Sequence, residues 1–228
     1  MSKKILVVLS GCGVYDGSEI HESVLILLAL AEKGIEYQCA APNEDQFHVI
    51  NHTNGEELHE TRNVLVESAR IARGDILDLA KVSIADFSGL VLPGGFGAAK
   101  NLTTWAIEGP QGSINSEVKK VIIDARKLDL PIAAFCMSPV VISKSFEGSQ
   151  INPKITVGSI NESSPYEIGA ISEGMESIGS SIEMTKVNEI VVDIENKIVT
   201  SPCYMMDANI SEINVGIKKA ISAFNEFL

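Results

Sequence analysis

The sequence predicts an α/β fold built on a mostly parallel sheet, and three observations carry that expectation. Short uncharged runs of Val, Ile and Leu alternate with segments of helical periodicity along most of the chain. Several of those runs are bounded by glycine, as strands covered by helices on both faces are. Three turns rich in Gly or Cys, at Gly11 to Gly13, Gly94-Gly95 and Cys136, fall at expected carboxyl ends of strands, where an open parallel sheet binds its ligands.

Taken in order, "KKILVVLSGCG" reads as a charged start, a buried strand and a glycine-punctuated turn. Asp16 with Glu19 three residues later resembles a capping box for the helix that follows. Its sequence, "HESVLILLALAEK", is apolar almost all round, so the helix is expected to be buried, with Gly34 as its stop. "IEYQCAAP" alternates as a second strand, and "NEDQFHVINHTNGEELHE" is a polar excursion whose Asn54-Gly55 pair signals a tight hairpin. "TRNVLVESARIAR" is helical and ends at Gly74, after which "FSGLVLPGG" is a buried strand. "SEVKKVIIDARKL" is an amphipathic helix, "LPIAAF" a strand, and "SPVVISKSF" a helix that begins just after Cys136 with Pro139 in its first turn. The remainder supplies a strand "KITVG", a hairpin "EIVVDIENKIVTS" around Glu195-Asn196, and a closing helix with Ile213, Ile217, Ile221 and Phe224 on one stripe. No linker, repeat or low-complexity segment divides the 228 residues, which are read as a single domain over 1–228.

Composition narrows the function. The formal charge of −12, from 30 acidic and 18 basic residues spread along the chain, argues against nucleic acid or an anionic membrane as partner. No uncharged apolar run is long enough to span a bilayer. Lys3 and Lys4 before "ILVVLSGC" imitate a lipoprotein signal, but Ile5 to Leu9 is shorter than the roughly 7 to 15 residues such a segment needs. Cys12, Cys39, Cys136 and Cys203 are widely spaced with no C-x-x-C pair, so neither zinc nor a disulfide framework is signalled. A reducing compartment, the cytoplasm, is expected, and no metal or cofactor.

The stretch "FCMSPVV" carries the chemistry. A nucleophile elbow needs small residues two before and two after the reactive side chain, and Ala134 and Ser138 hold those places around Cys136. The helix beyond it would favour a thiolate, and N–H groups of the turn could bind an oxyanion. Cysteine is also among the most buried residue types, so the motif alone leaves core residue and nucleophile open. "LPGGFGAAKNL" matches neither phosphate-loop order; Gly94 and Gly95 suit either a close backbone approach to a ligand or an ordinary turn.

The chain resembles the ElbB family, the isoprenoid-biosynthesis glyoxalase-like proteins also called sigma cross-reacting protein 27A, within the ThiJ/PfpI and class I glutamine-amidotransferase-like superfamily. The resemblance is nearly full length, and "SGCGVYDGSEIHESV", "VINHTNGEE", "RNVLVESARIARG", "LPGGFGAAKNL" and "NKIVTSPCYM" are its most specific stretches. It implies a flavodoxin-like three-layer sandwich, a homodimer, Cys136 as elbow nucleophile and Glu22 as the carboxylate facing it, with the backbone at Gly94, Gly95 and Met137 binding an oxyanion. The position after the nucleophile, a His in the superfamily's amidotransferases, is Met137 here, and all four histidines precede residue 60. A Cys-His-Glu glutaminase triad is thereby disfavoured, leaving His21 and His52 as candidate proton carriers. The activity implied is a glutathione-independent glyoxalase on small 2-oxoaldehydes. A non-catalytic redox-sensing dimer using the same cysteine is the alternative, and an amidotransferase or peptidase a third reading.

Overall fold

The computed structural model describes residues 3–228; Met1 and Ser2 of the expected domain lie outside the described residues. Five parallel strands with their crossovers form most of the chain: β1 (Lys4–Val8), α1 (Ile20–Glu32), β2 (Glu36–Ala41), α2 (Val64–Ile71), β3 (Ile76–Asp78), β4 (Gly89–Leu92), α3 (Phe96–Lys100), α4 (Trp105–Glu108), α5 (Ser116–Lys127) and β5 (Ile132–Phe135). There follow α6 (Pro139–Phe146), β6 (Lys154–Ile155), α7 (Ile168–Ser177), β7 (Ser181–Ile182), β8 (Val191–Asp193), β9 (Ile198–Ser201) and α8 (Ile210–Asn225).

The main sheet runs β3-β2-β1-β4-β5-β9-β8, parallel except for the β8–β9 pair. The β8–β9 hairpin turns at Glu195-Asn196, as the sequence predicts. From β1 the chain winds one way to β2 and β3, and from β4 the other way to β5. Right-handed crossovers that travel in opposite directions must lie on opposite faces, which makes three layers. Accordingly α1 packs on α2 and α8, while α5 packs on α6. The point where the strand order reverses, between β1 and β4, opens a crevice at the strand ends. Val, Ile, Leu and Ala side chains of β1, β4 and β5 are fully buried, because helices cover both faces.

Three expectations are corrected. Asp16 does not cap α1: its Oδ2 accepts from the Ile50 N–H at 2.7 Å, pinning the polar excursion, and Glu19 is the cap, accepting from the Glu22 N–H. Nor is α1 buried all round, for Ile20, Val24 and Leu28 form an exposed stripe on the face turned away from the sheet. "KITVG" yields only the two-residue β6, paired with β7 outside the main sheet. The Asn54-Gly55 turn does form, closed by the Gly55 N–H to the Asn51 carbonyl, but its arms pair through a single bridge, Ile50 to Glu57. No helix among the described residues is long and apolar enough to cross a membrane.

Candidate active site

Four strand ends converge at the crevice. After β5 the chain turns sharply at Cys136, whose φ of 56° is the left-handed conformation a non-glycine residue adopts only under constraint. Two hydrogen bonds impose it. The Cys136 N–H donates to the Ser201 carbonyl on β9 at 2.9 Å, and the Ser138 hydroxyl donates to the Pro93 carbonyl after β4 at 2.5 Å. Ser138 thus ties the elbow to the glycine turn as well as being small.

Glu22, in the first turn of α1, is wholly buried and aimed at this elbow. Its Oε2 accepts from the Gly94 N–H and its Oε1 from the Tyr204 N–H, each at 3.1 Å, so both carboxyl oxygens are fixed. Cys136 faces it as a hydrogen-bond partner. Gly94 makes the approach possible: a Cβ there would lie 2.2 Å from Cys136 Cβ and 2.5 Å from Glu22 Oε2. Gly95, with φ of 101°, is required by its conformation and by the Gly17 to Glu19 backbone, which a Cβ there would strike at 2.4 Å, and its N–H points at the Cys136 sulfur.

Burial pushes Glu22 up from 4.5 to about 8, reinforced by the nearby Glu19 and opposed by the two N–H donors and Cys136. Burial also pushes the Cys136 thiol well above its ordinary value, and the facing Glu22 charge adds to this. The expectation of a helix-stabilised thiolate is therefore corrected, since burial and a facing carboxylate outweigh the single Gly95 N–H. Of the two groups the carboxyl is the stronger acid, so the sulfur becomes a nucleophile by passing its proton to ionised Glu22.

The other expected residues divide. Gly94 is no oxyanion donor, because its N–H is given to Glu22. Among the described residues the Met137 N–H has no protein acceptor, which keeps it and the Gly95 N–H as the donors of the turn, while the Met137 side chain is buried. His21 sits at the crevice mouth with Nδ1 3.0 Å from the Tyr204 hydroxyl. His52 stands apart: Nε2 accepts from the Tyr15 N–H at 3.2 Å and Nδ1 lies 3.0 Å from the Ile50 carbonyl, so it braces a loop and does not meet Cys136. Beside the elbow lies an open pocket of about 340 Å³ lined by Tyr15, Glu19, His21, Tyr166 and Tyr204 among others, with Cys136 and Glu22 outside its lining. Sequence reasoning gave Glu19 only a capping place, missed Tyr166, which no motif marks, and assigned no role to Tyr204 or Cys203 within "NKIVTSPCYM". That last residue had a signal, for "TSPCY" after β9 repeats the strand-then-cysteine pattern of "AAFCM" after β5.

No family model matches the chain. It is 42% identical over 216 residues to the human glutamine amidotransferase-like class 1 domain-containing protein 3, mitochondrial, covering 94% of this chain and 79% of the relative. The mitochondrial ES1 protein homolog of Rattus norvegicus is also 42% identical, over 94% of this chain and 80% of the relative. Among solved structures, an isoprenoid biosynthesis protein with an amidotransferase-like domain from Ehrlichia chaffeensis superposes with a TM-score of 0.89 at 31% identity, covering 99% of each chain. DJ-1beta of Drosophila melanogaster, at 18% identity and a TM-score of 0.57 over 100% of this chain and 96% of its own, shares the fold. The cytoplasmic expectation is overturned here, since the human, rat and zebrafish relatives are all named as mitochondrial proteins. A cysteine elbow on a switch-point sheet, together with 42% identity across nearly the whole length, places the conclusion beyond fold alone: the chain belongs to the glutamine amidotransferase-like class 1 proteins.

Proposed function

We propose that this protein is a cofactor-independent, glyoxalase-like enzyme of the ElbB type, converting small 2-oxoaldehydes such as glyoxal and methylglyoxal to 2-hydroxy acids. The observation that supports it most is the pairing of Cys136 with Glu22 across Gly94, where a Cβ would not fit. The aldehyde enters through the tyrosine-lined mouth. Cys136 sulfur bonds to the aldehyde carbon as its proton passes to Glu22, and the new oxyanion takes hydrogen bonds from the Gly95 and Met137 N–H groups. Once that oxygen is protonated to the hemithioacetal, Glu22 removes the hydrogen from the thiol-bearing carbon and returns it to the neighbouring carbonyl carbon. The resulting thioester of a 2-hydroxy acid is hydrolysed by water, freeing the thiol.

A group with a pKa of about 8 suits a proton that must be both taken and given near neutral pH. An amidotransferase reading is disfavoured, because neither His21 nor His52 bonds to Cys136 or Glu22. The working unit is proposed as a homodimer of single-domain chains, with the exposed Ile20, Val24 and Leu28 stripe as support and sedimentation as the check. Turnover of a panel of 2-oxoaldehydes by wild type and Cys136→Ser tests the activity; equal rates in the two proteins would end the reading.

A further inference from the structure

Cys203 occupies a second elbow beside the first. It lies two residues past the end of β9, where Cys136 lies one past the end of β5; the strands are parallel neighbours with Phe135 opposite Ser201, so Cys203 stands one residue beyond the position opposite Cys136. Both cysteines have left-handed backbones, φ 56° at Cys136 and 46° at Cys203. With strands about 4.8 Å apart and a rise of about 3.3 Å per residue, a one-residue offset corresponds to about 6 Å between Cα atoms, inside the roughly 4.4 to 6.8 Å that a disulfide spans. The side chain is placed to match: the Cys203 sulfur lies near the Cys136 backbone N–H, which donates to the Ser201 carbonyl, and Cys203 Sγ lies 3.8 Å from the Ser201 hydroxyl. Cys203 is wholly buried, so solvent thiols do not reach it, and the catalytic reading gives it no task.

We propose that Cys203 is the resolving thiol of Cys136, so that oxidation by hydrogen peroxide closes a reversible disulfide across the two elbows. The Cys136 sulfur, its proton passing to Glu22, attacks one peroxide oxygen; an S–O bond forms, the O–O bond breaks, and the leaving hydroxide takes that proton back from Glu22 to become water. The Cys203 sulfur then attacks the sulfenic sulfur of Cys136; the S–S bond forms, the S–O bond breaks, and the departing hydroxide leaves as water with the Cys203 proton. Two thiols and one peroxide become one disulfide and two waters. The bridge takes the Cys136 sulfur away from Glu22 and holds it below the irreversible sulfinic state until a dithiol reduces it.

The test is a thiol map, which needs no substrate. Reduced full-length protein is treated with equimolar hydrogen peroxide, alkylated, unfolded and digested without reductant. The expected result is a linked Cys136–Cys203 peptide with loss of two alkylatable thiols, both restored by dithiothreitol. In Cys203→Ser two or more equivalents of peroxide are expected to carry Cys136 through the sulfenic acid to a sulfinic acid that dithiothreitol does not restore, whereas Cys39→Ser still forms the bridge. Oxidised wild type in which Cys203 remains alkylatable, a bridge to Cys12 or Cys39, or four thiols surviving excess peroxide would each overturn the proposal. Since Cys203 lies outside the proposed catalytic steps, absent 2-oxoaldehyde turnover and an absent bridge are separate failures.

Discussion

Replacing Glu22 by Gln makes stability depend on pH in a way the structure fixes. A carboxyl whose pKa is higher in the folded chain stabilises fully below its unfolded value and loses that contribution as pH rises through its folded value. For Glu22 the window runs from 4.5 to about 8. At about 1.4 kcal/mol per pH unit, this amounts to about 5 kcal/mol, of which about 4 falls between about pH 5 and pH 9. The Glu22→Gln variant carries no such dependence at this site. It keeps one acceptor oxygen, so either the Gly94 or the Tyr204 N–H loses its partner, at a cost of about 1 to 3 kcal/mol at every pH. Other titrating groups are common to both proteins and cancel to first order. Urea unfolding across that pH range should therefore show the Glu22→Gln protein less stable in acid, the two curves crossing, and the variant ahead by about 2 to 4 kcal/mol in base. A difference that stays constant with pH would refute the claim that Glu22 is a buried carboxyl with a raised pKa.

Turnover by wild type, read as kcat/KM, should climb with pH through a midpoint near about 8 as Glu22 ionises and level off above it, and Glu22→Gln should abolish that rise along with most of the rate. Alkylation of Cys136 should be slow at neutral pH and still accelerating above pH 9, by up to about tenfold per pH unit, because burial and Glu22 hold the thiol protonated; a rate already level at neutral pH would contradict this. Gly94→Ala should cost about 1 to 3 kcal/mol in urea unfolding and separate Cys136 from Glu22, so the variant folds yet loses turnover. Phe224→Ala should destabilise by about 3 to 5 kcal/mol in the same assay and leave the thiol map unchanged, since Phe224 is fully buried against the sheet far from the elbow in sequence.

The strands that build the main sheet were legible because burial on both faces leaves a continuous apolar signature. "ILVV", "GLVL" and "IAAF" each carry it, and each is a strand. The closing helix was legible for the complementary reason: Ile213, Ile217, Ile221 and Phe224 are buried on one stripe, and most of the exposed positions, Ser211, Glu212, Lys218 and Lys219 among them, are polar. Where these signals fade, so does the reading. The edge strand β3 is three residues with alternate exposure, and its pairing is decided by β2 beside it. In α1 the apolar face exceeds what the sheet can cover, so the same composition that reads as buried leaves Ile20, Val24 and Leu28 in the open.

At the site, local geometry was legible and long-range electrostatics was not. Small residues around Cys136 announce a tight turn, because the constraint lies within five consecutive residues. The protonation state of that cysteine depends on Glu22, 114 positions earlier in the sequence, and on Gly94 lacking the side chain that would part them. A helix N-terminus is worth about 0.3 to 1 kcal/mol to an anion, and α6 begins with a proline that has no N–H to offer. Complete burial and a facing carboxylate act on the same thiol with larger effect and opposite sign. The elbow therefore presents a thiol held ready beside its base, and the nucleophile is generated when a substrate or an oxidant accepts the sulfur's electrons as Glu22 takes the proton. One arrangement thus serves both the proposed carbonyl chemistry and the proposed bridge to Cys203. What separates them is the electrophile that enters the mouth.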